Sequence, residues 1–306
     1  MAAITASMVK ELREATGAGM MDAKNALTEN NGDIEAATDW LRKKGLAKAA
    51  KKSSRTAAEG LVAIAAAGKT GAVVEVNSET DFVARNEEFQ GFVRNVADKA
   101  LNAADNYDAL LNVELEGKPL SEVLTDKIAK IGENMTIRRM EKLSVNDGVV
   151  AAYVHNAVAP NLGKIGVLVA LESTGDKEKL GALGKQLAMH VAAAFPKYLN
   201  KEDVDAATME REKDVLREQA KAEGKPAEII EKMLEGRMRK FYEEICLIEQ
   251  IFVMDGETRI SKLLEDAAKD VGAPVALTAY TRVQLGEGIE KEETDFAAEV
   301  AAAVNG

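Results

Sequence analysis

The amino-acid sequence predicts an α+β fold in which a small helical bundle precedes a duplicated α/β core of two similar subdomains. Three observations favour this class. Apolar residues recur at helical spacing over residues 5–44, and the period changes to that of β-strands from Gly60 onward. The order strand–strand–helix–helix–strand then occurs twice, which predicts small antiparallel sheets. Residues 199–245 interrupt the second copy as an inserted antiparallel helical hairpin.

The composition fits such a chain and limits its partners. With 306 residues, of which 46% are hydrophobic, the chain is long enough for two or three units with apolar cores. The net charge of -11 disfavours nucleic-acid binding, because phosphate binding needs clustered basic charge. The N-terminus lacks the apolar segment of a signal peptide, and no run approaches the roughly 20 apolar residues that span a bilayer. We therefore expect a soluble, cytoplasmic protein.

The N-terminal region is predicted to form three short helices followed by a basic linker. "TGAG" (16–19) breaks the first helix and "NNGD" (30–33) ends the second. Asp33 is a suitable N-cap for the third helix, which is expected to end near Gly45. Residues 42–55 carry seven basic residues and no acid. We interpret them as a solvated helix and linker, with RNA binding as the weaker alternative because no aromatic residues interleave them.

The first copy of the core begins with two predicted strands. "GLVAIAAA" and "GAVVEV" flank "GKT" and are predicted to pair as a hairpin. A helix through Phe89, Phe92 and Val93 follows. "PLSEVLTDKIAKIGEN" and "MTIRRMEKLSV" then predict a closing helix and strand.

The second copy repeats this order. "GVVAAYV" and "KIGVLVAL" predict a second hairpin, followed by a helix through Leu183 and Leu187. "RISKLLEDAAKDVGAP" and "ALTAYTRVQL" mirror the closing helix and strand. When Leu120 is aligned with Ile260, several further positions match in register. These pairs are Ser121/Ser261, Leu124/Leu264, Asp126/Asp266 and Gly132/Gly272.

The inserted hairpin is predicted to turn at "EGKP", where Gly224 stops one helix and Pro226 can begin the next. Apolar residues of its first helix are expected to face apolar residues of its second helix. The expected facing sets are Met209, Leu216 and Ala220 against Ile229, Met233 and Phe241. Contact with another chain and packing against its own body both remain open for this hairpin.

The sequence does not assemble an enzyme's site. A phosphate-binding loop ending at Thr70 would need glycine at position 63, where Ala63 stands, and its segment joins two strands. His155 and His190 are too few for a zinc site, and Cys246 is interpreted as a buried side chain. His190 is expected to pack within its helix, whereas His155 ends a strand and is a candidate contact residue. We expect no cofactor, no metal site and no enzymatic activity.

Four motifs occur in one chain and in this order: "TGAGMMDAKNAL", "NGDIEAA", "SETDFVARN" and "GEGIEKEETDFAAEV". Over its whole length the chain resembles the elongation factor Ts family, the bacterial guanine-nucleotide exchange factors for elongation factor Tu. The resemblance implies an N-terminal module like a ubiquitin-associated three-helix bundle, a core of two similar subdomains, a dimerisation hairpin and a C-terminal module. The expected boundaries are 1–55 for the N-terminal module and basic linker, 56–146 for core subdomain N, 147–198 with 246–286 for core subdomain C, 199–245 for the hairpin and 287–306 for the C-terminal module.

The same resemblance implies roles for individual residues. A first group is expected to enter the partner beside its nucleotide and to dislocate its Mg²⁺ ion: Thr80, Asp81, Phe82 and Val83. A second group is expected to bind the partner: Met20, Met21, Lys24, His155, Val253, Met254 and Phe296. Two alternatives remain open, since Phe82 could cap the core of its own hairpin and the two methionines could lie in the bundle core. Phe296 lies on a predicted amphipathic helix.

The second copy has "ESTGDKEKL" where the first has the Asp-Phe motif. This asymmetry is expected if the motif serves a partner and not the fold. The implied function is a translation elongation factor that binds elongation factor Tu carrying GDP, promotes GDP release by displacing Mg²⁺, and stays bound to nucleotide-free elongation factor Tu until GTP enters. The alternative is a non-catalytic adaptor that uses the ubiquitin-associated-like module. A homodimer through the hairpin is also open, and no direct binding of nucleotide, nucleic acid or membrane is expected.

Overall fold

The computed structural model describes residues 4–16, 18–224 and 226–290. It combines helices with small sheets, as the sequence predicts. The helices are α1 (Ala6–Thr16), α2 (Met20–Glu29), α3 (Ile34–Lys52), α4 (Asp81–Ala84), α5 (Glu87–Ala103), α6 (Tyr107–Asn112), α7 (Leu120–Ile131), α8 (Lys177–Ala194), α9 (Ala206–Ala222), α10 (Ala227–Ile245) and α11 (Ile260–Val271). The strands are β1 (Glu59–Ala67), β2 (Thr70–Ser78), β3 (Glu114–Leu115), β4 (Lys118–Pro119), β5 (Met135–Ser144), β6 (Gly148–His155), β7 (Leu162–Gly163), β8 (Ile165–Glu172) and β9 (Ala276–Gln284).

By the density of internal contacts the chain divides into two compact units. Unit 1 comprises Met1–Val62, Val74–Met140 and Gln284–Gly306, and unit 2 comprises Ala63–Val73 and Glu141–Val283. The five-part division expected from the sequence stays a prediction.

The N-terminal bundle in unit 1 forms as predicted, from α1, α2 and α3. Small and apolar residues fill its centre, among them Leu12, Ala26 and Leu27. Asp33 caps α3, since its carboxylate accepts a hydrogen bond from the Ala36 N–H at 2.9 Å.

The predicted end of the third helix near Gly45 is wrong, because α3 continues to Lys52. Gly45 is buried where α3 packs against α7, and a Cβ atom built on it would lie 3.4 Å from the Cβ atom of Ala129. The glycine therefore permits a close approach of two helices and does not end one.

The basic run at residues 42–55 lies mostly on α3 and is paired with acids of unit 1. Lys44 and Lys48 each place their Nζ atom 3.1 Å from the carboxylate of Asp22. Arg42 faces Glu122 at 3.5 Å. These pairs engage part of the basic charge within the unit. Because α3 extends to Lys52, most of the predicted linker is an ordered helix.

The duplication is visible in the sheets. One sheet has the strand order β5-β2-β1-β7 and another has the order β6-β8-β9, so the second long strand of each copy is central. β6 and β8 pair in antiparallel register from Gly148 opposite Glu172 to His155 opposite Ile165.

The closing helices match as well. α7 and α11 each have 12 residues, and they end at Gly132 and Gly272 with φ values of 89° and 82°. Such left-handed positions favour glycine, because it has no Cβ atom. The pairing of these two glycines is confirmed.

The inserted hairpin consists of α9 and α10, turned at Gly224, where φ is 73°. The predicted facing set is wrong at two positions of α10, because Ile230 and Leu234 are buried there in place of Ile229 and Met233. Ile230 and Leu234 pack with Leu216 and Ala220 of α9. The apolar stripe of α10 therefore starts one residue later than predicted, and the side chain of Ile229 is exposed.

In unit 2, α8 packs against β6 and β8 and covers an apolar core that includes Leu171, Leu187 and Phe252. Over the described residues of both units, no helix is long and apolar enough to cross a membrane. The described parts of the chain also hold no group of three or more His, Cys, Asp or Glu residues placed to bind a metal ion.

Candidate functional site

The Asp-Phe motif forms α4, a helix of four residues directly after β2. Val83 and Ala84 are buried and fix this helix to unit 1, whereas the side chain of Phe82 is 73% exposed. The alternative that Phe82 caps the core of its own hairpin is therefore wrong. Two further phenylalanines follow closely, and both Phe89 and Phe92 are buried in α5. Of these three rings, only that of Phe82 is available to a partner.

Thr80, the N-cap residue of α4, is held by a carboxylate from a distant part of unit 1. The Thr80 N–H donates to Oε2 of Glu133 at 2.9 Å, and the Thr80 hydroxyl donates to Oε1 of the same residue at 2.6 Å. The neighbouring residues reverse the arrangement, because the Asn134 N–H donates to the carboxylate of Glu79. We call these four residues, Glu79, Thr80, Glu133 and Asn134, the carboxylate clamp.

The other end of α4 is also fixed. The Ala84 carbonyl accepts a hydrogen bond from Nε2 of Gln90 at 3.0 Å. Asn86 starts the next helix by accepting from the N–H groups of Glu88 and Phe89 at 2.9 and 3.1 Å. Phe82 is thus presented from a short helix that is anchored on both sides.

The charge beside the ring is balanced locally. The Asp81 carboxylate lies 3.2 Å from the guanidinium of Arg85, one helical turn further along, and both side chains are largely exposed. An exposed pair of this kind contributes little stability. Asp81 can therefore exchange its partner for another cationic or hydrogen-bonding group at low cost.

Met20, Met21 and Lys24 lie on the exposed face of α2. The opposite face of α2 carries Ala23 and Leu27 into the bundle core. The methionine side chains are 61% and 65% exposed. The alternative that they belong to the bundle core is therefore wrong, and α2 presents two flexible apolar side chains beside a lysine.

In unit 2, His155 ends β6 and is exposed. Its Nδ1 atom lies 3.0 Å from the hydroxyl oxygen of Tyr153, which limits the orientations of the ring. The loop that follows contains Asn156 and Asn161 with positive φ values of 52° and 62°, a conformation that asparagine tolerates.

Val253 and Met254 lie in a turn of unit 2 and are 46% and 47% exposed, whereas the preceding Phe252 is buried. His190 supports this turn from α8, since its Nδ1 atom accepts a hydrogen bond from the Val253 N–H at 3.2 Å. Its Nε2 atom lies 2.9 Å from Oε1 of Gln250. Burial lowers the pKa of His190 below its ordinary value, so the ring is neutral and structural, as the sequence predicts.

Phe296 lies outside the described residues. Within unit 1, the stretch that leads towards it is held at Gly286 by a buried carboxylate that sequence reasoning missed. Glu75 is fully buried, and its carboxylate oxygens lie 3.1 Å from Arg138 and 2.6 Å from Arg139. It also accepts a hydrogen bond from the Gly286 N–H at 2.8 Å. An acid within "GAVVEV" and paired arginines in "MTIRRMEKLSV" were the available signals.

Comparisons with known proteins agree on one family. The family model described as elongation factor TS matches residues 79–287. Over 305 residues the chain is 64% identical to elongation factor Ts of Rhodospirillum rubrum, covering 99% of both chains. It is 62% identical to elongation factor Ts of Rhodospirillum centenum over 303 residues, covering 98% of this chain and 99% of the other. It is 58% identical to elongation factor Ts of Rhizobium etli over 308 residues, covering 100% of both.

The chain belongs to the elongation factor Ts family. Its role is that of a translation elongation factor. The range matched by the elongation factor Ts model contains α4, Glu133, His155 and the turn at Val253, while the α2 residues lie before it.

The carboxylate clamp is the other feature that sequence reasoning missed. Glu133 stands in "GEN", directly after the helix-ending Gly132, and nothing local connects it to Thr80. The two residues are 53 positions apart, and only the packing of unit 1 brings them together.

Proposed function

We propose that the chain binds elongation factor Tu carrying GDP and accelerates the release of GDP. The observation that carries this proposal is the exposed ring of Phe82, presented from an anchored helix in a member of the elongation factor Ts family. Among the large apolar side chains of the described residues, that of Phe82 is the most exposed. The proposed segment is Thr80, Asp81, Phe82 and Val83, in which the buried Val83 anchors α4 and the exposed Phe82 faces the partner.

In the proposed mechanism, Phe82 inserts beside the nucleotide of the partner, and the movement it causes displaces the partner's Mg²⁺ ion. Loss of Mg²⁺ leaves the phosphate charge poorly neutralised, so GDP dissociates faster. A thousandfold acceleration needs a barrier lower by about 4 kcal/mol. Burial of one phenylalanine yields only about 1.5–3 kcal/mol. The remainder must come from a wider docking surface.

We propose that the wider surface includes the exposed residues of α2 and the exposed turn of unit 2. These residues are Met20, Met21, Lys24, His155, Val253 and Met254, and Phe296 of the C-terminal segment is a further candidate. The exposure of the methionines and of the Val253 turn supports this assignment.

Thermodynamic linkage gives the proposed cycle its order. If the factor weakens the binding of GDP to its partner, GDP weakens the binding of the factor by the same ratio. The complex with nucleotide-free elongation factor Tu is therefore the tight one, and it persists until GTP enters. The factor itself needs no cofactor and forms no covalent bond in this cycle. We place the cycle in the cytoplasm, where translation takes place.

The first test is stopped-flow release of a fluorescent GDP from elongation factor Tu. We expect strong acceleration by the wild type and a loss of about ten- to a hundredfold in Phe82→Ala, because the removed ring accounts for about 1.5–3 kcal/mol. Asp81→Ala should also reduce the acceleration. Phe195→Ala is the matched control, since Phe195 is an exposed phenylalanine outside α4.

A wild type that leaves GDP release unchanged would refute the exchange function and favour the adaptor. Acceleration that survives in Phe82→Ala and Asp81→Ala would keep the function and assign its cause to the wider docking surface.

A further inference from the structure

We infer that Glu133 is a positioning residue for nucleotide exchange, acting through Thr80 to hold Phe82 ready for its partner. This inference rests on the proposed function and adds a residue that the Asp-Phe motif does not contain. It starts from the two hydrogen bonds of 2.9 and 2.6 Å that one carboxylate receives from the N–H and the hydroxyl of Thr80.

A helix of four residues cannot hold its own shape in water, because too few internal hydrogen bonds offset the cost of ordering the backbone. α4 therefore depends on groups outside it. The N-cap position of α4 is the obvious point of attachment, but the Thr80 side chain makes no capping bond to the helix. Its hydroxyl is used to bind Glu133, so the start of α4 is fixed from another part of unit 1.

The carboxylate is well suited to this task. Hydrogen bonds to a charged acceptor are stronger than neutral ones, and two donors from one residue fix both its position and its orientation. The return bond from the Asn134 N–H to Glu79 locks the same two chain segments a second time. The Asn134 amide group also donates to the Arg55 carbonyl at 2.7 Å, which ties the clamp to the end of the basic run.

The consequence for exchange is preorganisation. If α4 were loosely held, part of the energy of inserting Phe82 would be spent on ordering the segment when the partner binds. With the segment already fixed, that energy is available to disturb the nucleotide site. Glu133 is not part of the wider docking surface. Loss of the Glu133 carboxylate should therefore lower the maximal rate of GDP release more than it changes the factor concentration needed for half-saturation.

Unit 2 offers a matched control. Glu172 accepts hydrogen bonds from the N–H groups of Asn146 and Asp147 at 2.7 and 3.0 Å, which is the same chemistry as at Glu133. No Asp-Phe helix follows these residues. Glu172→Gln therefore removes a comparable carboxylate without touching the presentation of Phe82.

The experiment measures two quantities for the full-length chain and for Glu133→Gln, Thr80→Val, Thr80→Ser and Glu172→Gln. The first is hydrogen exchange at the Thr80 amide in the free protein. The second is the rate of fluorescent GDP release from elongation factor Tu as a function of factor concentration.

We expect Glu133→Gln to speed exchange at the Thr80 amide and to lower the maximal release rate, each by about tenfold, since bonds to a charged group are lost. Thr80→Val should lower the maximal rate in the same direction. Thr80→Ser keeps both donors and should behave as wild type. Glu172→Gln should also match the wild type, both in exchange at the Thr80 amide and in the rate of GDP release.

Wild-type amide exchange in Glu133→Gln, or faster amide exchange with an unchanged release rate, would overturn the inference. If the wild type itself fails to accelerate GDP release, the proposed function is wrong and the positioning role falls with it. The amide measurement would still report whether Glu133 orders the segment. Should Glu133→Gln fail to fold, the comparison of Thr80→Val with Thr80→Ser decides the question.

Discussion

His190 is one of two histidines in the chain and is completely buried in α8. Its Nδ1 atom faces the N–H of Val253, which is a donor, so that nitrogen has no room for a proton of its own. Protonation would break this bond and place a charge in an apolar core. Burial accordingly lowers the pKa of the ring below the ordinary value of 6.5.

This arrangement makes the stability of the fold depend on pH. Below the unfolded pKa of 6.5 the unfolded chain binds a proton at His190 that the folded chain does not. The free energy of unfolding should therefore fall with decreasing pH, by at most about 1.4 kcal/mol per pH unit, until the folded pKa is reached. Denaturant unfolding measured between pH 7.5 and 5.5 checks this.

The variants separate the two histidines. His155→Gln should keep the pH dependence, because it leaves His190 and the bond from the Val253 N–H in place. His190→Gln should be less stable at neutral pH and should lose most of the slope. A wild-type free energy that is flat over this range would contradict the assignment.

At the scale of elements, α3 and α7 meet at a glycine. Gly45 lies in the middle of α3, where glycine lowers helix stability by about 1 kcal/mol relative to alanine. A Cβ atom at this position would lie 3.4 Å from the Cβ atom of Ala129, so side chains larger than alanine have little room there.

Two substitutions of Gly45 should change the free energy of unfolding by different amounts. Gly45→Ala gains helix propensity and meets a contact of 3.4 Å, so its unfolding free energy should stay within about 1 kcal/mol of the wild type. Gly45→Leu overfills the interface and should lose about 1–3 kcal/mol. Denaturant unfolding of both variants measures the difference.

Gly236 is the control position, because it is a helical glycine of α10 with open space around its Cβ direction. Gly236→Leu should be neutral or stabilising. If Gly45→Leu were as stable as Gly236→Leu, the close approach of α3 to α7 would not be what excludes large side chains at position 45.

The elements that sequence reasoning predicted correctly share one property: their signals are local. The left-handed ends at Gly132 and Gly272 follow from a glycine after an amphipathic run, and the Asp33 cap follows from an acid before one. The predicted end of the third helix is wrong because the residue that Gly45 packs against is 84 positions away. The motif of α4 could be found, whereas the carboxylate that fixes it could not.

At the scale of the whole molecule, the inserted hairpin is the surface we propose for contact between two copies of the chain. On its inner side, Leu216 and Ala220 of α9 pack against Ile230 and Leu234 of α10. Its outer side leaves Val215 of α9 and Ile229 of α10 exposed. We propose that a second copy of the chain packs on these two side chains.

If the hairpin mediates self-association, Val215→Glu should weaken the dimer by about tenfold or more, because a buried charge without a partner costs over 1.4 kcal/mol. Since Val215 is exposed, the fold should be unaffected. Sedimentation equilibrium over a range of concentrations measures the change.

Val158→Glu provides the control, as an equally exposed valine outside the hairpin. A wild type that stays monomeric at every concentration, or a Val215→Glu variant that associates as the wild type does, would exclude the hairpin as a dimer contact.

Cys246, the one cysteine of the chain, is fully buried, and burial raises the pKa of its thiol to about 11. Thiol-reactive dyes are attacked by an accessible thiolate, so the native chain should remain unlabelled at neutral pH. A single exposed replacement, such as Lys24→Cys on α2, would then carry the only reporter. The fluorescence of a dye at that position could then report the docking of the chain on its partner, without removal of the natural cysteine.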